Sequence, residues 1–185
     1  MDNFGIPYLK CVADLYGKPE REVYRAYHER NEIHKADHLF NFCVSTQALK
    51  DYLLEELGIL DSESRRKFHE DWSNNTLISS VGGIANLSKH FVLRDQKSRK
   101  PKTIKTLGAN PTKSEFVDIY SHGDGELFAE LIVASDWLIV VESGEEFSLI
   151  EFTRAVLEYW RNIIQENGIA LVPLGFADLS GGSDA

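Results

Sequence analysis

Apolar residues recur at three- and four-residue steps through the first half of the chain, then give way to short β-branched and aromatic runs. Leu39, Phe42, Cys43, Thr46, Leu49, Leu53 and Leu57 make one stripe of a helix read from about Glu20 to Leu57. Pro19 can open that helix at its first turn, where a missing N–H is not needed. Gly58 is placed to stop it. Asp61 or Ser62 caps a second helical region, with Glu63 in its first turn, running to about Leu93. Asn74-Asn75 and Gly82-Gly83 weaken this region, since each glycine costs about 1 kcal/mol against alanine. A glycine pair inside a helix marks close packing or a bend. The simplest arrangement is two long antiparallel helices joined by a short turn.

The period changes after Asn110-Pro111. Phe116 to Tyr120, Leu127 to Ala134 and Trp137 to Val141 read as strands, separated by His122-Gly123-Asp124-Gly125 and by Ser135-Asp136. Thr103 to Leu107 can add an edge strand. Ser148 then caps a closing helix, with Glu151 completing a capping box. Phe152, Ala155, Val156, Tyr159, Trp160, Ile163 and Ile164 form its apolar stripe, and Asn167-Gly168 ends it. The fold class is therefore α+β: two long antiparallel helices, a three- to five-stranded antiparallel meander and a C-terminal helix packed on it. Residues 1–18 read as an N-terminal arm and residues 19–176 as a single domain. Within that domain lie a helical half (19–93), a basic connection (94–113) and a strand–helix half (114–168). Residues 177–185, rich in Gly, Ser and Asp, read as a flexible tail.

Size and composition fit this picture. A domain of 185 residues buries roughly 70% of the surface its unfolded chain exposes, so it needs no staple to fold. Cys11 and Cys43 are too few for a disulfide framework, and Cys43 lies in the apolar run Leu39 to Val44. No signal peptide or membrane-length apolar run is visible, so the cytoplasm is the expected location and no membrane contact is expected. The net charge of −9 disfavours broad binding of polyanions. The local exception is the basic segment 94–105, with Arg94, Lys97, Arg99, Lys100, Lys102 and Lys105, which can touch RNA or serve as a solvated linker.

Three clusters offer chemistry. In Ile84-Ala85-Asn86-Leu87-Ser88-Lys89-His90-Phe91, Asn86 and His90 stand one helical turn apart with Lys89 beside them. An amide, an imidazole and a cation can hold a phosphate and move a proton, with Arg94 a further anion contact. The same residues can instead fix helix register by hydrogen bonding. Asp51 would orient His90 if the two long helices pack antiparallel, or stand exposed beside Lys50. His34 and His38 have the i, i+4 spacing of two metal ligands, but Lys35 fills the place of the glutamate in the H-E-x-x-H pattern. A solvated charged face is the other account of them. Arg21 and His28 have six residues between them, within the arginine-to-histidine spacing of HEPN ribonucleases. No nucleophile elbow, C-x-x-C pair or phosphate-cradling glycine loop stands in the chain, so no cofactor is expected.

The segments Leu39 to Val44 with Leu49-Lys50-Asp51-Tyr52, and Ile84-Ala85-Asn86 with Ser88-Lys89-His90-Phe91, resemble a group of small uncharacterised bacterial and phage-type proteins. That group shares an F-N-F…L-K-D-[WY] helix, an A-N-x-S-K-H-F helix and a closing strand–helix unit with a tryptophan, here Trp137 to Trp160. The resemblance spans most of residues 38–165, and a paired-helix core with a polar Asn–His face resembles the HEPN superfamily by analogy alone. Where members carry an arginine-aspartate pair ahead of the A-N motif, this chain has Gly82-Gly83.

Two functions follow as expectations. One is a non-catalytic interaction protein, an accessory subunit of a bacterial or phage stress or defence assembly, with a protein partner or a second copy of itself. The other is a metal-independent HEPN-like ribonuclease. In it His90 is the acid/base, Lys89 stabilises phosphate charge and Asn86 positions it.

Overall fold

The helix read from Glu20 to Leu57 forms as two. In the computed structural model, which describes residues 7–87, 106–121, 127–141 and 143–171, α1 runs Val12–His28 and α2 runs Glu32–Glu56. The break is local in origin. Glu29 Oε1 accepts from the Asn31 amide at 2.8 Å, and Asn31 Oδ1 accepts from the amides of Ile33 and His34 at 2.9 and 3.4 Å. Asn31 thereby caps a new helix. The first helix folds back antiparallel on the second. Val12 N donates to Glu56 Oε2 at 2.7 Å, Lys18 Nζ to Ser45 Oγ, and Glu22 meets His38 at 2.8 Å. The first of these bonds satisfies an orphan amide at the start of α1. The antiparallel pair thus lies within the stretch expected to be one helix.

Residues 12–18, expected in a loose arm, form the opening turns of α1. Burial decides this: Val12, Leu15 and Tyr16 enter the core, and Tyr16 Oη donates to the Leu157 carbonyl at 3.0 Å. Pro19 therefore sits inside the helix rather than at its first turn. There it withholds one N–H from the ladder, and packing on both sides holds the helix through it.

The second helical region also divides, into α3 (Ser62–Asn74) and α4 (Thr76–Leu87). Asp61 caps α3, accepting from Ser64 N at 2.8 Å, and Asn75 Oδ1 accepts from Ile78 N at 3.1 Å to start α4. Gly58, at φ +68, ends α2 as its position predicted. Within α4, a Cβ added at Gly82 would lie 3.2 Å from Gln47 Oε1 of α2. That neighbour is the end of a flexible side chain, so a methyl can be taken up there but a large side chain cannot.

Three antiparallel strands follow in sheet order, β1 (Thr106–Ser121), β2 (Leu127–Val141) and β3 (Glu146–Ser148). Nearly all of the sheet is the β1–β2 ribbon, paired from Ser121 opposite Leu127 to Thr106 opposite Val141. Ser135-Asp136, expected as a turn, pair with Lys113 and Thr112 inside the ribbon. Asn110-Pro111, expected in the basic connection, pair with Leu138 and Trp137. β1 is an edge strand, where a proline is tolerated. A continuous ladder overrides the local turn preference of these residues. The segment His122 to Gly125 and the basic segment 94–105 lie outside the described residues.

The closing helix α5 (Leu149–Glu166) begins on the expected capping box of Ser148 and Glu151. Its Phe152, Val156, Trp160 and Ile164 meet the α2 stripe and Ile139 and Val141 of β2 in one buried cluster. The Trp160 and Trp72 rings stand 5.3 Å apart at 57°. The described residues are thus α+β, with the core between α1, α2, α4, α5 and the root of the ribbon. Among them no helix is long and apolar enough to cross a membrane.

Candidate functional site

Of the Asn86 face, the structure describes Asn86 alone, exposed one residue before the end of α4. Lys89, His90 and Arg94 lie outside the described residues. Asp51, the expected orienting carboxylate, is exposed on α2 with Oδ1 at 4.0 Å from Arg65 of α3. The same guanidinium donates to Glu55 Oε1 at 2.9 Å and to the Ile59 carbonyl at 3.2 Å. Arg65 therefore braces the α2–α3 corner, and Asp51 sits at the rim of that brace.

The histidine pair divides between two environments. His34 is exposed, with Nδ1 3.6 Å from Glu29 Oε2. His38 Nδ1 lies 2.8 Å from Glu22 Oε2, while Arg25 Nη1 holds the other Glu22 oxygen at 2.8 Å. Lys35, between the two histidines in sequence, is buried. The solvated charged face thus describes His34 but not Lys35 or His38. The α1–α2 hairpin draws these residues inward, because a buried Glu22 carboxylate requires partners. Among the described residues no group of three His, Cys, Asp or Glu side chains is arranged to hold a metal. The amide of Asn31, donating to Glu29, holds that carboxyl below its ordinary value.

Arg21 and His28 are both exposed on α1, two turns apart. The His28 ring is flanked by Tyr24, at 4.4 Å between centroids, and Tyr27, at 5.2 Å. This ring cluster stands beside the α1–α2 break. Tyr27 is 60% exposed and Ile33, on the far side of the break, 72%. Trp137 Nε1 of β2 donates to Glu32 Oε2 at 2.7 Å, fastening the ribbon to the same corner. Sequence reasoning missed this corner because Ile33 reads as one more apolar helix position until the break exposes it. Exposed Tyr8 and Leu60 lie away from it, near the opposite end of the α1–α2 hairpin, and single apolar residues on a surface are ordinary.

The two cysteines serve packing and capping. Cys43 is fully buried in apolar surroundings, which pushes its thiol far above the usual range. Cys11 is half-buried, with Sγ accepting from Asp14 N at 3.4 Å as the cap of α1. Comparison of the chain with protein-family models, with curated proteins and with solved structures finds no match to any of them.

Proposed function

We propose that this chain is a non-catalytic interaction protein, an accessory subunit of a bacterial or phage stress or defence assembly. The observation that carries the reading is the α1–α2 corner. Tyr27 and Ile33 offer apolar surface to solvent on either side of a three-residue break, next to the Tyr24–His28–Tyr27 ring cluster. Exposed aromatic and aliphatic side chains are the stuff of interface centres. The corner is held rigid from three sides, by the Asn31 cap, by the Glu22–His38 contact and by Trp137 on Glu32. A rigid apolar surface loses little entropy when a partner covers it. The assembly itself is proposed from the resemblance of the two helical motifs to bacterial and phage-type proteins, and the partner is a protein or a second copy of the chain.

A second reading keeps the HEPN-like ribonuclease, favoured by Asn86 standing exposed on α4 at the start of the Asn86–Lys89–His90 motif. RNA incubated in EDTA with the parent and with His90→Ala separates the two. An interaction protein leaves the RNA intact in both. Cleavage by the parent that disappears in His90→Ala, with circular dichroism unchanged, establishes the ribonuclease and removes the first reading.

A further inference from the structure

In a chain of net charge −9, one helix face gathers cations around a hollow. Ser62, Arg65, Arg66, His69 and Ser73 of α3 line a concave surface of about 530 Å3. Their three- and four-residue spacing puts them on one side of the helix, over roughly 16 Å of its length. The one acid in the lining, Glu70, is already met by Arg66 at 2.6 Å.

The two arginines differ in a useful way. Arg65 Nη1 is held by Glu55 and the Ile59 carbonyl, and its Nη2 lies 4.0 Å from Asp51. A guanidinium has five N–H donors in a planar fork, so Nη2 and Nε keep donors that a ligand can take in competition with Asp51. Arg66 and Glu70 are both more than half exposed. Such a pair is worth little, and Arg66 can exchange the carboxylate for a better anion. His69 stands between them on the helix with its ring edge-on to Trp72 at 5.8 Å. Partial burial, then the charges of Lys50 and Arg65, lower the proton affinity of His69, while Asp51 opposes them.

We propose that the α3 concavity is a binding site for a compact phosphate-bearing ligand, with Arg65 and Arg66 on phosphate oxygens and His69 as a hydrogen-bond donor. The ligand is compact because the acidic surface elsewhere repels a long polyanion. This site stands independently of the α1–α2 corner, and neither proposal needs the other.

The test is an NMR titration of the His69 ring against pH, in chloride buffer and with pyrophosphate at matched ionic strength. Pyrophosphate is expected to raise the pH at which His69 titrates, saturably. Arg66→Gln is expected to weaken binding about tenfold or more, the loss of a charge-assisted contact. Glu70→Gln, which frees Arg66, is expected to tighten it. All three proteins should melt alike, since both substituted residues are exposed. Absence of a saturable shift at millimolar pyrophosphate, an equal shift in chloride, or unchanged binding in Arg66→Gln overturns the site. A single-stranded RNA that binds more tightly per phosphate than pyrophosphate overturns the compact ligand.

Discussion

Glu22 of α1 and His38 of α2 meet at 2.8 Å across an interface between two helices whose residues form one continuous apolar pattern. The Glu22 side chain is 7% exposed, and its two oxygens are met by His38 and by Arg25. His38→Ala is expected to destabilise the fold by about 1–3 kcal/mol, the penalty for leaving a buried acceptor short of a partner. For a chain of this size that lowers Tm by roughly 2–4 °C per kcal/mol. An unchanged Tm would mean that α1 does not dock on α2.

Glu20 gives a pH dependence with a definite sign. Its carboxylate is buried, with Oε1 3.6 Å from Arg161 and Oε2 unpartnered among the described residues. Burial raises its pKa above the ordinary 4.5, and Arg161 offsets only part of that. A carboxyl whose folded pKa is raised favours the native state in its protonated form. It therefore adds no penalty below the ordinary value and a full penalty above the raised one. Glu20→Gln should accordingly raise Tm at pH 7 and lose that advantage as pH falls from the raised value towards 4.5, with none left below it. Thermal melts of both proteins across pH 3.5–7 check it, as a flat difference would contradict it.

Trp160 is 1% exposed, packs on Trp72 and has an indole N–H without a partner among the described residues. Trp160→Ala is expected to cost about 3–5 kcal/mol through the cavity it leaves. Trp160→Phe keeps a ring and removes the unsatisfied donor, so it should cost much less. Urea denaturation measures both, and equal losses would show that the indole nitrogen is satisfied.

Gly82→Ala adds a methyl 3.2 Å from the flexible end of Gln47. Gln47 can move, and alanine gains up to about 1 kcal/mol of helix propensity. The variant should melt at or slightly above the parent temperature. Gly82→Leu should push α4 from α2 and lower Tm.

The elements that were legible in the sequence are those with local chemistry. The α2 stripe, the Asp61 cap, the Gly58 stop and the Ser148–Glu151 box all stand where their residues placed them. The breaks at Asn31 and Asn75 were harder to see, because an asparagine in a polar run serves equally as helix interior or cap until a neighbouring helix chooses. Pro111 and Ser135-Asp136 carried turn signals that the β1–β2 ladder overrode. Of the candidate site residues, the i, i+4 spacing of His34 and His38 was visible, but the Glu22 that engages His38 lies across a break and sixteen residues away. Arg65, Arg66 and His69 showed helical spacing too, yet a polar helix face is ordinary until a concavity forms beneath it.

The central claim is that the α1–α2 corner meets a protein. A photo-crosslinking amino acid placed at Ile33, with one at exposed Glu158 of α5 as control, tests it in the source cell. One discrete higher-mass adduct is expected from position 33, absent from position 158 and lost when Tyr27→Ser is added. No adduct from position 33, or the same adducts from both positions, would contradict it.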